Sequence, residues 1–327
     1  MKLLRSEQAG RAGRAFVNRK RKLYRHMVRA QSWLLNLWGE RHYRVLSESE
    51  LRGTRKSDTV FIFGSGYSIN DVSDSEWEHF ARHDTIGFNW FVRQNHVRID
   101  FHVIREIGNR YDDPSPWWPE INEYMGFLHS NHRYAETILI VQAGWTAIGG
   151  NQVVGRELLP KRNALFRFRT HSRGPNDSPS SSLSKGLVHG SATLIDCVNF
   201  ASLLGWKKIV LVGVDLYDRR YFWLGPDETT PLETRRGAKF DDIHSTAGGG
   251  LIENLGRWAQ EFEEHGVSLF VYNPKSLLAA TVPVYPRAPV SEGSMAADAG
   301  QLETFPERLV EHQGSEQIGS SSSAQEF

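Results

Sequence analysis

Short apolar runs alternate along the middle of the chain with stretches of helical spacing. Thr59-Val60-Phe61-Ile62-Phe63 is rich in β-formers and ends in Gly64-Ser65-Gly66-Tyr67-Ser68. Ser73-Asp74-Ser75-Glu76 has capping-box spacing and predicts a helix carrying Trp77 and Phe80 inward. Asp84 to Phe88, Ile99 to Ile104, Thr137 to Val141 and Ala164 to Phe168 read as further strands. From Gly190, the positions Leu194, Ile195, Val198, Phe200, Ala201 and Leu204 recur with helical period and stop at Gly205. Lys208 to Val214 is the clearest buried strand, Gly248 to His265 a helix, and Val267 to Tyr272 the last strand. Strands alternating with helices predict an α/β, Rossmann-like fold, a mostly parallel sheet with helices on both faces. Ligands of such sheets bind beyond the C-terminal ends of the strands. Those ends are Gly64–Ser68, Asn89, Arg105, Asp215–Tyr221 and Asn273–Ser276.

Composition narrows the class. The 327 residues are 39% hydrophobic and 24% charged, as in globular proteins. No apolar run approaches the roughly 20 residues that span a bilayer. The start, Met-Lys-Leu-Leu-Arg-Ser, lacks an apolar h-region, so no signal peptide is expected. The one cysteine, Cys197, excludes an intrachain disulfide and fits a reducing, cytoplasmic setting. The formal net charge of +1 argues against a nucleic-acid partner for the whole chain.

That balance hides an asymmetry. Residues 1–30 hold ten basic side chains against one acid, Glu7, and are followed by Trp33, Leu34, Leu35, Leu37 and Trp38. Two readings stand: peripheral membrane contact through residues 1–45, or a solvated basic arm whose Trp/Leu end packs on the core. Residues 286–327 are rich in Ser, Glu and Pro and read as a disordered tail. The expected organisation is a basic amphipathic helical arm (1–55), a catalytic domain (56–285) and the tail (286–327).

The candidate chemistry sits at the strand ends. Gly64-x-Gly66 with Ser65 and Ser68 could bring backbone amides and hydroxyls to a phosphate or ribose, or simply form a tight turn. It is neither Gly-x-Gly-x-x-Gly nor a P-loop. Asn89 offers amide donors and an acceptor for a base or sugar, or is a turn residue. Asp215 could accept bonds from a sugar hydroxyl. Tyr217 and Tyr221 could donate to a leaving phosphate without a metal, or pack. His244, in Asp241-Asp242-Ile243-His244-Ser245, is a candidate general base or a surface residue. No metal-ligand spacing is strong, and no hydrolase nucleophile elbow appears.

The order of these motifs is more specific than any one of them. Strand–Gly64-Ser65-Gly66-x-Ser68, Gly87-Phe88-Asn89, Gly190-Ser191-Ala192–helix–Leu-Gly-Trp-Lys-Lys-Ile-Val-Leu-Val-Gly-Val-Asp215-Leu-Tyr217, Tyr221-Phe222, His244-Ser245 and Tyr272-Asn273-Pro274-x-Ser276-Leu277 follow one another. The series resembles bacterial sialyltransferases of glycosyltransferase family 42 and the related domain of motility accessory factors. It covers about residues 58–282.

The resemblance implies a single GT-A-like domain with a lid near 218–247. The implied reaction is inverting, metal-independent transfer of sialic acid or a related keto-acid sugar from a CMP donor to a glycan or glycolipid acceptor. No cofactor is implied beyond the donor substrate. His244 falls on the general base, Tyr217 and Tyr221 on the phosphate-holding tyrosines. Gly64, Ser65, Gly66, Ser68, Asn89, Asp215, Asn273 and Ser276 fall on the donor site, with Ser191 (or, in another register, Thr193) at the helix start. Departures are visible: Ser65 replaces an Asn, Arg105 stands where a second Asn is expected and could pair with a phosphate or the donor carboxylate, and His189-Gly190 replace an Arg. The acceptor class points to polysaccharide or lipopolysaccharide assembly at the inner face of the cytoplasmic membrane. Related transferases often form tetramers, so a homo-oligomer is implied by resemblance only. Two alternatives stay open: a Mg²⁺-dependent phosphotransferase using Asp215, Asp241 and Asp242, and a non-catalytic nucleotide-binding protein of glycan assembly.

Overall fold

A computed structural model describes residues 2–105, 107, 115–174, 176–190, 192–218, 220–225, 227–228 and 247–286, with side chains from residue 19 onward. Residues 1–285 form one compact unit and 286–327 a second, of which only Pro286 is described. The tail and most of the 218–247 segment therefore lie outside the described residues, as do His244 and Ser191.

Seven strands form one wholly parallel sheet: β1 (Thr59–Phe63), β2 (Asp84–Phe88), β3 (Phe101–Ile104), β4 (Ile138–Gln142), β5 (Leu165–Phe168), β8 (Lys208–Val212) and β9 (Ser268–Val271). A small parallel pair, β6 (Thr170–Ser172) with β7 (Leu187–Val188), stands apart. The order across the main sheet is β5-β4-β3-β2-β1-β8-β9. The chain thus steps outward from β1 in one direction, then returns to its other side with β8.

Every residue of β1 is buried, as a strand covered on both faces must be. Its side chains alternate between two cores. Val60 and Ile62 meet α6 (Thr193–Leu204) and α7 (Leu251–Glu264) through Leu194, Val198, Leu255 and Trp258. Phe61 and Phe63 meet α3 (Asp74–Ala81) and α4 (Trp118–Ser130) through Trp77, Phe80, Ile121 and Tyr124. The helix starts follow their capping chemistry. Ser73 accepts from the Glu76 amide while the Glu76 carboxylate accepts from the Ser73 amide, and Gly205 ends α6 in a left-handed conformation.

The arm is a helix, α1 (Lys2–Gly39), followed by a short α2 (Glu48–Arg52). α1 packs on α5 (Ile148–Gly155) by a glycine contact. A Cβ on Gly39 would lie 2.4 Å from the Val154 carbonyl oxygen, and one on Gly155 would lie 2.6 Å from the Leu35 carbonyl carbon. The two backbones can approach this closely only without side chains.

Candidate functional site

The strand order reverses between β1 and β8, and the loops after these two strands are bound tightly together. Gly64 N–H donates to the Val212 carbonyl and Gly66 N–H to the Gly213 carbonyl, both at 2.8 Å. A Cβ on Gly66 would sit 2.5 Å from Asp215 Oδ2 and 2.7 Å from the Gly213 oxygen. The glycines of this turn are thus required first by its own partner loop. The Ser65 hydroxyl in the same turn is shielded from solvent and has no hydrogen-bond partner among the described residues.

Asp215 organises the crevice. It is 2% exposed. Its Oδ2 accepts from the Ser68 amide at 2.9 Å, and its Oδ1 accepts from the Ser68 hydroxyl and, at 2.9 Å, from Asn273 Nδ2. The same Asn273 nitrogen donates its second proton to Tyr217 Oη at 3.1 Å, while Asn273 Oδ1 accepts from the Lys275 amide at 3.0 Å. This network fixes which way the amide points, because a carboxylate only accepts and a backbone N–H only donates. The Tyr217 oxygen accepts from Asn273, which leaves its own O–H as a donor. Burial, then the Asp215, Asp218 and Asp71 carboxylates, hold the Tyr217 phenol above its ordinary range, against the opposing Asn273 bond, and it stays a neutral donor. Leu216, between Asp215 and Tyr217, has φ 64°, a backbone state that a branched side chain adopts at a cost of about 1–3 kcal/mol.

Tyr221 reaches the same crevice by a backbone bridge to Gly66, and the next amide, Phe222 N–H, donates to the Ser65 carbonyl at 3.2 Å. Its ring stacks on Trp223 at 4.7 Å and 14°. Trp223 in turn meets Trp90 at 6.5 Å, next to Asn89. Asn89 directly follows β2 with φ 50°, a left-handed position that Asn tolerates, and it is half-buried. Ser276 uses its hydroxyl within the chain, donating to the Val214 carbonyl at 2.6 Å and accepting from the Leu278 amide. Gly64, Ser65, Gly66, Ser68, Asp215, Tyr217, Tyr221, Asn273 and Ser276 thus gather around one crevice, with Asn89 at the neighbouring strand end.

Arg105 stands at the end of β3 in a different environment. It is 1% exposed, and Nη1 donates to Asp196 Oδ1 at 2.6 Å while Nη2 donates to Thr170 Oγ1 at 3.0 Å. Asp196, in the first turn of α6, also holds His189 Nδ1 at 2.7 Å through Oδ2. One buried carboxylate therefore ties the end of β3 to the start of α6. Sequence reading missed Asp196, whose place inside an apolar helical stretch was the available signal. It also missed the aromatic wall of Trp90 and Trp223, whose signal was an aromatic next to each of two motifs. His102 in β3 was missed as well. It is fully buried, burial lowers its imidazole to about 3, and Nε2 lies 2.5 Å from Tyr124 Oη.

No family model and no curated protein matches this chain. Among solved structures the chain is similar to the monofunctional alpha-2,3-sialyltransferase Cst-I from Campylobacter jejuni. That match has 13% identity and a TM-score of 0.41, covering 73% of this chain and 82% of that one. It is also similar to the sialyltransferase CstII from Campylobacter jejuni, determined in complex with a substrate analogue, cytidine-5′-monophosphate. There the identity is 14% and the TM-score 0.42, over 70% of this chain and 85% of that one. Likeness at this level is one of general chain path, and the chemistry of the crevice rests on its own residues.

Proposed function

We propose that this chain is an inverting, metal-independent glycosyltransferase that moves sialic acid or a related keto-acid sugar from a CMP donor to a glycan or glycolipid acceptor. The observation that carries the reading is the Asp215–Asn273–Tyr217 relay at the point where the strand order reverses. It presents a neutral phenol donor at the place where open parallel sheets bind nucleotides. A phosphate leaving group needs hydrogen-bond donors as its negative charge develops, and a phenol supplies one without a metal.

In this reading the acceptor oxygen attacks the anomeric carbon, the bond from that carbon to the CMP phosphate oxygen breaks, and His244 takes the acceptor proton. Tyr217 and Tyr221 donate to the departing phosphate. Trp90, Trp223 and Asn89 offer a stacking face and an amide for the base. Asp215 already accepts from protein donors at both oxygens, which disfavours it as a magnesium ligand.

The test is turnover by purified protein of CMP-sialic acid, CMP-Kdo and GTP, each with Mg²⁺ and with EDTA. CMP release that persists in EDTA and is lost in His244→Ala supports the reading. Activity only with GTP and Mg²⁺ overturns it in favour of phosphotransfer.

A further inference from the structure

The helix α1 wears its apolar stripe on the wrong side for a soluble protein. Its inward face is Val28, Ser32, Asn36 and Gly39, and all four are buried. Ser32 accepts from Gln152 Nε2 at 2.8 Å, and Asn36 accepts from Arg167 Nη2 at 2.6 Å. Leu23, Met27, Leu34, Leu37 and Trp38 recur at helical spacing on the opposite side, and each is between 54% and 62% exposed. Trp33 and Tyr24 flank this stripe and are also exposed. Of the two sequence readings, packing of the Trp/Leu end on the core holds for its backbone and for half-buried Leu35, while Trp33, Leu34, Leu37 and Trp38 stay exposed. The helix does pack on the body, but through its small and polar face.

Charge decides what covers the stripe. Residues 1–30 carry ten basic side chains and one acid. Arg19, Lys20, Arg21, Lys22 and Arg25 are exposed around the Leu23 end, and the Arg41 guanidinium lies 3.4 Å over the Trp38 ring at the other end. A second copy of this helix laid parallel on the first would bring two such basic segments together, so that pairing is opposed. An apolar stripe with indole rings at its margin and cations at both ends matches the boundary of a bilayer with anionic head groups.

Gly39 lies against Val154 and Gly155, Ser32 against Gln152, and the Tyr24 hydroxyl against the Ser115 hydroxyl at 2.6 Å. α1 therefore runs in the same sense as α5, and its basic half leaves the body on the side of the strand C-terminal ends.

We propose that α1 is an in-plane membrane anchor that binds anionic lipid bilayers through Leu23, Met27, Leu34, Leu37 and Trp38, with the basic residues 19–25 on the head groups. This inference does not depend on the proposed reaction. The test is flotation of the full chain with phosphatidylcholine vesicles, with and without a phosphatidylglycerol fraction. Wild type is expected to float with the anionic vesicles and not with the neutral ones. Arg21→Glu with Lys22→Glu lowers the affinity about 25-fold or more, at roughly five-fold per lost cation. Leu34→Asp with Leu37→Asp lowers it by at least about ten-fold. Both pairs keep the thermal midpoint of wild type, since all four side chains are exposed.

No flotation with anionic vesicles overturns the proposal, as does equal flotation with neutral ones or indifference to both variant pairs. A concentration-dependent dimer in sedimentation velocity that Leu34→Asp with Leu37→Asp dissolves would assign the stripe to a second copy, and overturns it too.

Discussion

Tyr217→Phe removes a single oxygen, and with it the phenol's donor and acceptor, from the crevice and leaves the ring in place. In the folded protein the Tyr217 oxygen accepts one bond, from Asn273 at 3.1 Å, and the Asn273 amide keeps its second bond to Asp215 at 2.9 Å. The expected stability loss is therefore small, about 1 kcal/mol for one net hydrogen bond. The catalytic loss is larger. Removing a preorganised donor aimed at developing negative charge costs about 2.7–4 kcal/mol, or roughly 10²–10³ in kcat. The phosphate becomes more basic as the sugar departs, so this bond strengthens in the transition state and KM changes little. The assay is steady-state CMP release from CMP-sialic acid by wild type and variant, with urea unfolding of each as the control for folding. The tyrosine is held above its ordinary range by burial and by Asp215, Asp218 and Asp71, so its donation persists through neutral and mildly alkaline pH. A kcat within about three-fold of wild type, or a loss confined to KM, would refute the reasoning.

Three further predictions follow from the same geometry. Asp196→Ala leaves the fully buried Arg105 guanidinium without its carboxylate, and urea unfolding is expected to show a loss of about 3–5 kcal/mol. Arg105→Met with Asp196→Leu recovers most of that loss, and a double variant no more stable than the single one contradicts the ion-pair account. His102 titrates at about 3 folded against 6.5 unfolded, so its contribution is complete above pH 6.5 and falls as pH drops from 6.5 toward 3. His102→Gln should therefore lose about 2 kcal/mol less stability than wild type between pH 7.5 and pH 5, and parallel pH profiles for the two proteins count against it. Gly66→Ala places a methyl 2.5 Å from Asp215 Oδ2, so a cost of about 1–3 kcal/mol in thermal or urea unfolding is expected, and an unchanged midpoint contradicts the packing.

What was legible in the sequence was local. β1, β2 and β8 are apolar runs bounded by turns, and the structure sets them at Thr59–Phe63, Asp84–Phe88 and Lys208–Val212. α6 ends at Gly205, as its spacing predicts. α4 left a readable trace in Pro119 near the helix start and Ile121, Tyr124, Met125 and Leu128 on one face, although no element was assigned there. α5 left none. Its sequence Ile-Gly-Gly-Asn-Gln-Val-Val-Gly is poor helix material, and the helix is held by contact: a Cβ on Gly150 would lie 2.2 Å from the Gln142 carbonyl oxygen. Asp215, Tyr217 and Asn273 could each be named from a strand end. That one amide joins the other two is a tertiary fact, set by β8 and β9 lying side by side. The Arg105–Asp196 contact spans 91 residues, and no local pattern announces it. Exposure of the α1 stripe is likewise a property of packing, because the sequence reads equally well with that stripe turned inward.

The central claim is best tested by following CMP-sialic acid with the purified protein in excess EDTA by NMR. The account predicts appearance of CMP at a rate unchanged by EDTA, with the first-formed sugar product inverted at the anomeric carbon. A strict metal requirement, a product of retained configuration, or no donor cleavage in any buffer that keeps the protein folded would contradict it.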